Sequence, residues 1–437
     1  MLMPDFLPPL VMSVHGIRTH AEWQNTLGEV LNTEGILFKN RRFGYYPISS
    51  FVRPGRNQAQ VDEFFAWYGG VLETNAKVDI DDPTKRPSVV AHSFGTFIVG
   101  YAMLKYREIR FDKVILCGSI LPRDFDWHEL FARQQVGRVR NECGGKDVWV
   151  ALAPFFVRGT GRSGRKGFES LGTRCSNEPH RYHRHSDFFQ PPHIRGAWLP
   201  FLRTPPSGYE VINGGEIQAE KTYARYIHRT RAIDRVQFGA LPAHRTVAIP
   251  FGYSKQWRQV NPYIYTFLVH RASGKPCGYI NAMPLEDDAY EKVIAGEMLD
   301  NEIPADAVVP YVANQSVKLY VLSIAIAPGV ERAGDGLLAE PFELLLDAFF
   351  GQLRTWAANG IRVTEIAAIG WTAKGRRICE RLFGMTKVDD LRFAEPDTLG
   401  QESTVTHPVY KLDMSVPPKS ARMHRGLREL IHAYAEL

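Results

Sequence analysis

Ser93 lies between two bulky neighbours, His92 and Phe94, at the end of the apolar run in "PSVVAHSFGTFIVG" (residues 87–100), and Gly95 follows. A serine becomes a nucleophile when a base removes its proton and its hydroxyl is held clear of the surrounding backbone. A sharp strand-to-helix turn achieves the second condition. Such a turn crowds the chain, so the residues two before and two after the serine must be small. Here they are Ala91 and Gly95, a nucleophile elbow with alanine in place of the first glycine of G-x-S-x-G. The turn would lift the hydroxyl above the strand end. The next amide, that of Phe94, would point at a developing oxyanion near a helix N-terminus. Read alone, the stretch suits equally well a serine that only caps the following helix.

Two other stretches offer the missing groups. In "VHGIRTH" (14–20) a His-Gly turn follows a strand, and it can set the backbone N–H of Ile17 opposite that of Phe94 to complete an oxyanion hole. In "HRYHRHSDFF" (180–189) three histidines, His180, His183 and His185, are candidate bases. Carboxylates to orient the base stand at Asp147, and at Asp124 and Asp126 after the apolar run "VILCGSI". His92 reads as a packing or hydrogen-bonding residue beside the elbow.

The elements that must position these groups alternate in type. Strands are expected over 9–16, 87–93 and 111–120, and helices over 60–74 and 95–106; 147–156 is apolar but less regular. Near-continuous apolar strands between helices imply a mainly parallel sheet with helices on both faces. The Pro- and Gly-rich "QPPHIRGAWLPFLRTPPSG" reads as a terminal or linking segment, with a charged helix over 216–236 that could pack as a connecting helix. Beyond it the pattern changes to a hairpin around Ala-Ser-Gly-Lys-Pro (263–285), a long strand (317–328), a helix (334–360), a strand (363–371), a helix (374–384) and a last strand (407–415). The expected organisation is an N-terminal domain over 1–200, a linker and connecting helix over 201–244, and a C-terminal α+β domain over 245–437.

On "VHGIRTHAEW", "VVAHSFGT", "VILCGSILPRDFDW", the Asp of "NECGGKDVWVALA" and "HRHSDFF", residues 10 to about 190 resemble the α/β-hydrolase superfamily, in a lipase- or esterase-like form. The resemblance implies an α/β-hydrolase fold with Ser93 as nucleophile, His185 as general base and Asp147 as orienting acid, without a cofactor. About 245–415 resembles the GNAT acyl-CoA N-acyltransferase superfamily, in the order of its strands and helices and in the glycine loop of "GVERAGDGLLAEPF". That resemblance places a coenzyme A pyrophosphate on the loop at Gly334 and Gly336, with Arg332 beside them, and pantetheine along the strand at Ile324 and Ile326. The cofactor implied is acetyl-CoA or a longer acyl-CoA. The family's loop begins with Gln or Arg, where this chain has Glu331. At the position where the family often has a tyrosine general acid, four residues before Gly384, this chain has Glu380.

Composition excludes several other classes. Over 437 residues the net charge is +6, and 44% of residues are hydrophobic, ordinary for a globular protein. The densest basic stretch, Arg158–Arg184, has no nucleic-acid motif and reads as a solvated loop. Five scattered cysteines form neither a disulfide framework nor a zinc-ribbon pattern, so no metal is expected, and a reducing cytoplasmic setting is. No run approaches the ~20 apolar residues that cross a bilayer. The expected partners are a small or lipid-like acyl substrate and acyl-CoA.

Overall fold

The computed structural model describes residues 6–15, 22–41, 56–147, 150, 159–169, 174–239, 249, 251–330, 340–396, 402–416 and 423–435. The chain divides into two compact units, Met1–Ser207 and Gly208–Leu437.

In the first unit, β1 (Val11–Val14), β2 (Phe38–Arg41), β3 (Ser88–His92), β4 (Phe111–Cys117), β5 (Val136–Gly144) and β6 (Cys175–His180) form one sheet in the order β2-β1-β3-β4-β5-β6. Every pairing in it is parallel. The central strands are apolar on both sides because both faces are covered. Met12, Val14, Val89, Ala91, Val114 and Leu116 pack into one core with Phe64 of α2 (Arg56–Glu73), Ile98 of α3 (Phe94–Lys105) and Leu130 of α4 (Trp127–Ala132). Their neighbours Val11, Val90, Ile115 and Cys117 face the other way, onto Leu27 of α1 (Glu22–Thr33) and onto Trp198. This is the helix-covered parallel sheet expected for the N-terminal half.

The second unit carries β7 (Tyr209–Asn213), α5 (Glu220–Gln237), α6 (Phe251–Val260), β8 (Tyr265–His270), β9 (Lys275–Leu285), α7 (Asp287–Ile294), β10 (Ser316–Ile326), α8 (Glu340–Ala358), β11 (Arg362–Ile369), β12 (Thr386–Pro396), β13 (Glu402–Asp413) and α9 (Arg425–Ala435). Its sheet has the order β12-β13-β11-β10-β9-β8-β7 and is antiparallel except for the β10–β11 pair. The parallel pairing ends at Val321 opposite Ala368, whereas β10 continues along β9 to Ile326. The two central strands therefore part at their C-terminal ends.

The segment read as terminal or linking, and the helix after it, pack within the units themselves. Short helical turns over 191–202 bury Ile194, Trp198, Leu199 and Leu202 in the first unit. β7 is the edge strand of the second sheet, and α5 packs Tyr223, Tyr226 and Ile227 into the second core. The prolines mark helix starts here, where a missing N–H costs nothing. β6 lies inside the stretch read as a basic loop.

Candidate active site

β3 ends at His92 and α3 begins at Phe94, leaving Ser93 alone to make the turn. Its backbone sits at φ 54°, ψ −124°, a conformation L-residues rarely adopt. Such strain costs of order 1–3 kcal/mol and persists only where the surroundings enforce it. Here they do. The Ser93 amide donates to the Cys117 carbonyl at 3.0 Å, and the Ser93 carbonyl accepts from the amide and hydroxyl of Thr96 at 2.9 and 2.6 Å. The Thr96 hydroxyl oxygen in turn accepts from the Ile120 amide at 3.1 Å. Ser93 makes no side-chain capping bond to α3, which removes the helix-cap reading.

The small flanking residues have separate reasons. A Cβ on Gly95 would lie 2.4 Å from the Val14 carbonyl oxygen, so α3 approaches β1 only because that position is glycine. Ala91 lies in register between Val14 and Leu116, its methyl in the apolar layer. The alanine variation is accommodated by core packing, not by the turn.

Asp147 follows β5 and is fully buried. Its Oδ1 accepts from the Val150 amide at 3.0 Å, and its Oδ2 lies 2.7 Å from His185 Nδ1. A carboxylate only accepts, so the His185 ring donates to it from Nδ1, which turns Nε2 away from Asp147. The pair sits over Gly118, the residue after Cys117: a Cβ there would be 2.8 Å from His185 Nδ1 and 3.2 Å from Asp147 Oδ2. His92 Nε2 lies 3.0 Å from the His185 carbonyl oxygen, to which it donates. Burial drives its own protonation well below the usual histidine range, reinforced by the charge of His185. His92 is a neutral brace tying the elbow to the His185 loop. Ser93, His185 and Asp147 are thus brought to the C-terminal ends of β3, β4 and β5, where parallel sheets present their sites.

The alternative residues are placed elsewhere. Asp126 caps α4 through the Glu129 amide at 2.9 Å, and Asp124 is exposed. His180 turns to Glu142, with the His183 ring tilted against it. The Phe94 amide is the first of α3, next to the elbow. Ile17 lies outside the described residues.

In the second unit, Arg332, Gly334 and Gly336 also lie outside the described residues. Ile324 and Ile326 stand on the stretch of β10 bonded to β9 beyond the parting from β11, and Gln237 of α5 donates to the Ile326 carbonyl. Glu380 is exposed on a helical turn, where its Oε1 accepts from the Tyr410 hydroxyl at 2.7 Å. A cavity of about 330 Å³ in this unit is lined by Asp234, Ser254, Tyr265, Tyr279 and Ser323 among others. The Tyr279 hydroxyl donates to Asp234 and accepts from Ser323, 3.0 Å away. Burial pushes the Asp234 carboxyl up to about 6, against the opposing hydrogen bond from Tyr279. Sequence reading missed this group. Asp234 was inside the expected connecting helix, and nothing local joins it to Tyr279, 45 residues away.

No protein-family model matches the chain, and no curated protein does. Solved structures that match include an uncharacterized protein from Bacillus cereus (15% identity over 45% of this chain, TM-score 0.31), and this chain spans 60% of that protein's length. A protein assigned to the α/β hydrolase superfamily from Xanthomonas campestris matches at 12% identity, covering 45% of this chain and 99% of that one, with TM-score 0.29. The ribosomal-protein-S5-alanine acetyltransferase from Vibrio fischeri matches at 11% identity, covering 47% and 93%, with TM-score 0.25. These likenesses are slight, and the fold class rests on strand order and connection. Among the described residues, no helix is long and apolar enough to cross a membrane.

Proposed function

We propose that the first unit is a serine hydrolase acting on an ester, thioester or amide. His185 Nε2 takes the Ser93 proton as Oγ attacks the acyl carbon. Asp147 holds the imidazole in the Nδ1–H tautomer and stabilises the imidazolium. The Phe94 and Ile17 amides receive the oxyanion. The imidazolium then protonates the leaving group, and water, deprotonated by the same nitrogen, releases the acid and restores Ser93. The observation that carries this reading is the strained backbone of Ser93, held without a capping role next to His92, which donates to the His185 carbonyl of the His185–Asp147 pair. A fluorophosphonate probe is expected to label the wild-type chain and not Ser93→Ala. Absence of labelling in the wild type overturns the reading.

The second unit is proposed to bind acetyl-CoA or another acyl-CoA where β10 and β11 part, with N-acyl transfer as its activity. The supporting observation is that parting, next to the cavity of Asp234, Tyr279 and Ser323. A unit that only senses the coenzyme is the alternative, favoured by the engagement of Glu380 with Tyr410. Calorimetry of the full chain with acetyl-CoA tests binding, and a thiol-release assay with amine acceptors separates transfer from sensing. The five cysteines, all buried and none in a disulfide, fit a reducing, cytoplasmic setting.

A further inference from the structure

Beside the proposed triad, four side chains of the first unit converge on Glu142 of β5. The carboxylate is fully buried. Its Oε1 accepts from the Trp198 indole at 2.8 Å and from Arg140 Nε at 2.7 Å. His180 Nε2 lies 2.5 Å from Oε2, and His193 Nε2 lies 3.4 Å from Oε1. One ligand atom from each of Glu142, His180 and His193 falls within 4.8 Å of the others.

This is more than a buried carboxylate requires. Trp198 and Arg140 already orient Oε1, in the way that outer hydrogen bonds orient a metal-bound carboxylate. The guanidinium charge of Arg140 is shared with Glu178 at 3.5 Å, so it does not stand unopposed against a second cation. Two ring nitrogens nonetheless turn toward the same group. Imidazole nitrogens and a carboxylate oxygen suit a borderline divalent ion. In a tetrahedral site with donors about 2.1 Å from the ion, donor atoms stand about 3.4 Å apart. His193 Nε2 and Oε1 already have that spacing; His180 need open by only about an ångström.

We propose that Glu142, His180 and His193 form a site for a divalent first-row transition ion of the zinc class, with water completing the coordination. On binding, the hydrogen bonds from the two Nε2 atoms to the carboxylate are replaced by metal bonds, and each neutral imidazole carries its proton on Nδ1. His180 and His193 flank the loop that bears His185, so the ion would staple both ends of that loop to β5. The spacing, twelve residues between the histidines and the glutamate on an earlier strand, matches no short metal motif.

The full chain, stripped with a chelator and dialysed, is titrated with zinc chloride by calorimetry. One ion per chain is expected. His180→Ala and His193→Ala should each weaken binding at least tenfold, with circular dichroism confirming their fold. Cobalt(II) in the wild type should give the visible absorption of a four-coordinate nitrogen and oxygen site. The absence of saturable zinc uptake overturns the proposal, as does undiminished binding by the double histidine variant. A cobalt–thiolate charge-transfer band also overturns it, since that places the ion on cysteine, and this readout needs no variant. Fluorophosphonate labelling of Ser93 is a separate measurement, so failure of the metal site and failure of the hydrolase reading are distinguishable.

Discussion

Gly118→Ala tests whether the His185–Asp147 pair drives Ser93. The added Cβ would lie 2.8 Å from His185 Nδ1, 2.9 Å from His185 Cε1 and 3.2 Å from Asp147 Oδ2. Those two ring and carboxylate atoms are themselves only 2.7 Å apart, so the methyl presses on their hydrogen bond. Gly118 also has φ +53°, which costs an L-residue about 1–2 kcal/mol. Overpacking adds about 1–3 kcal/mol, for a total destabilisation of about 2–5 kcal/mol. Ordinary contact begins near 3.4 Å, so the imidazole must retreat by about 0.6 Å. Misplacement on the scale of an ångström costs up to about 10²-fold in rate, and labelling by a fluorophosphonate should slow about 10- to 100-fold. Gly70→Ala is the control. No atom lies within 4 Å of its Cβ on α2, and alanine should stabilise the helix by about 0.5–1 kcal/mol with labelling unchanged. A folded Gly118→Ala chain that labels at the wild-type rate refutes the reasoning.

Asp147→Asn should lower turnover about 10³- to 10⁴-fold, because an amide favours the wrong imidazole tautomer; steady-state kinetics on an activated ester would read it. Gly95→Ala drives a Cβ to 2.4 Å from the Val14 carbonyl oxygen and should cost about 1–3 kcal/mol, visible as a lower melting temperature. In the second unit, burial raises Asp234 to about 6 and Asp300 to about 7, each against an opposing tyrosine hydrogen bond. Both keep protons when folded that the unfolded chain has released. Their stabilisation is complete below the unfolded value of 3.8 and is lost as pH rises through about 6 to 7. Asp234→Asn with Asp300→Asn should flatten that slope in thermal melts taken between pH 4 and 8. For acyl transfer, Tyr279→Phe should reduce thiol release at least tenfold while Glu380→Gln leaves it near wild type; the reverse would return the acid role to Glu380.

The sequence by itself determined the central elements. β1, β3 and β4 are apolar on both faces because helices cover both, so composition and length sufficed to find them. The elbow was legible because its constraint is local: a strained turn admits few residue types at two fixed offsets. The edge of the first sheet was not legible. β5 and β6 carry Arg140, Glu142 and Glu178, which spend their polarity on one another, so no apolar alternation marks the strands. The proline-rich segment left its terminal and linking readings open, because helical turns packed by Trp198 and Leu202 share their composition with a linker. Only tertiary structure decided which aspartate meets His185, since Asp126 and Asp147 differ in what the fold sets beside them, not in their neighbours along the chain. It alone joined Asp234 to Tyr279, and His180 and His193 to Glu142. Hydrogen bonds act over about 3 Å whatever the distance along the chain, and sequence pattern reports only the contacts that recur at short spacing.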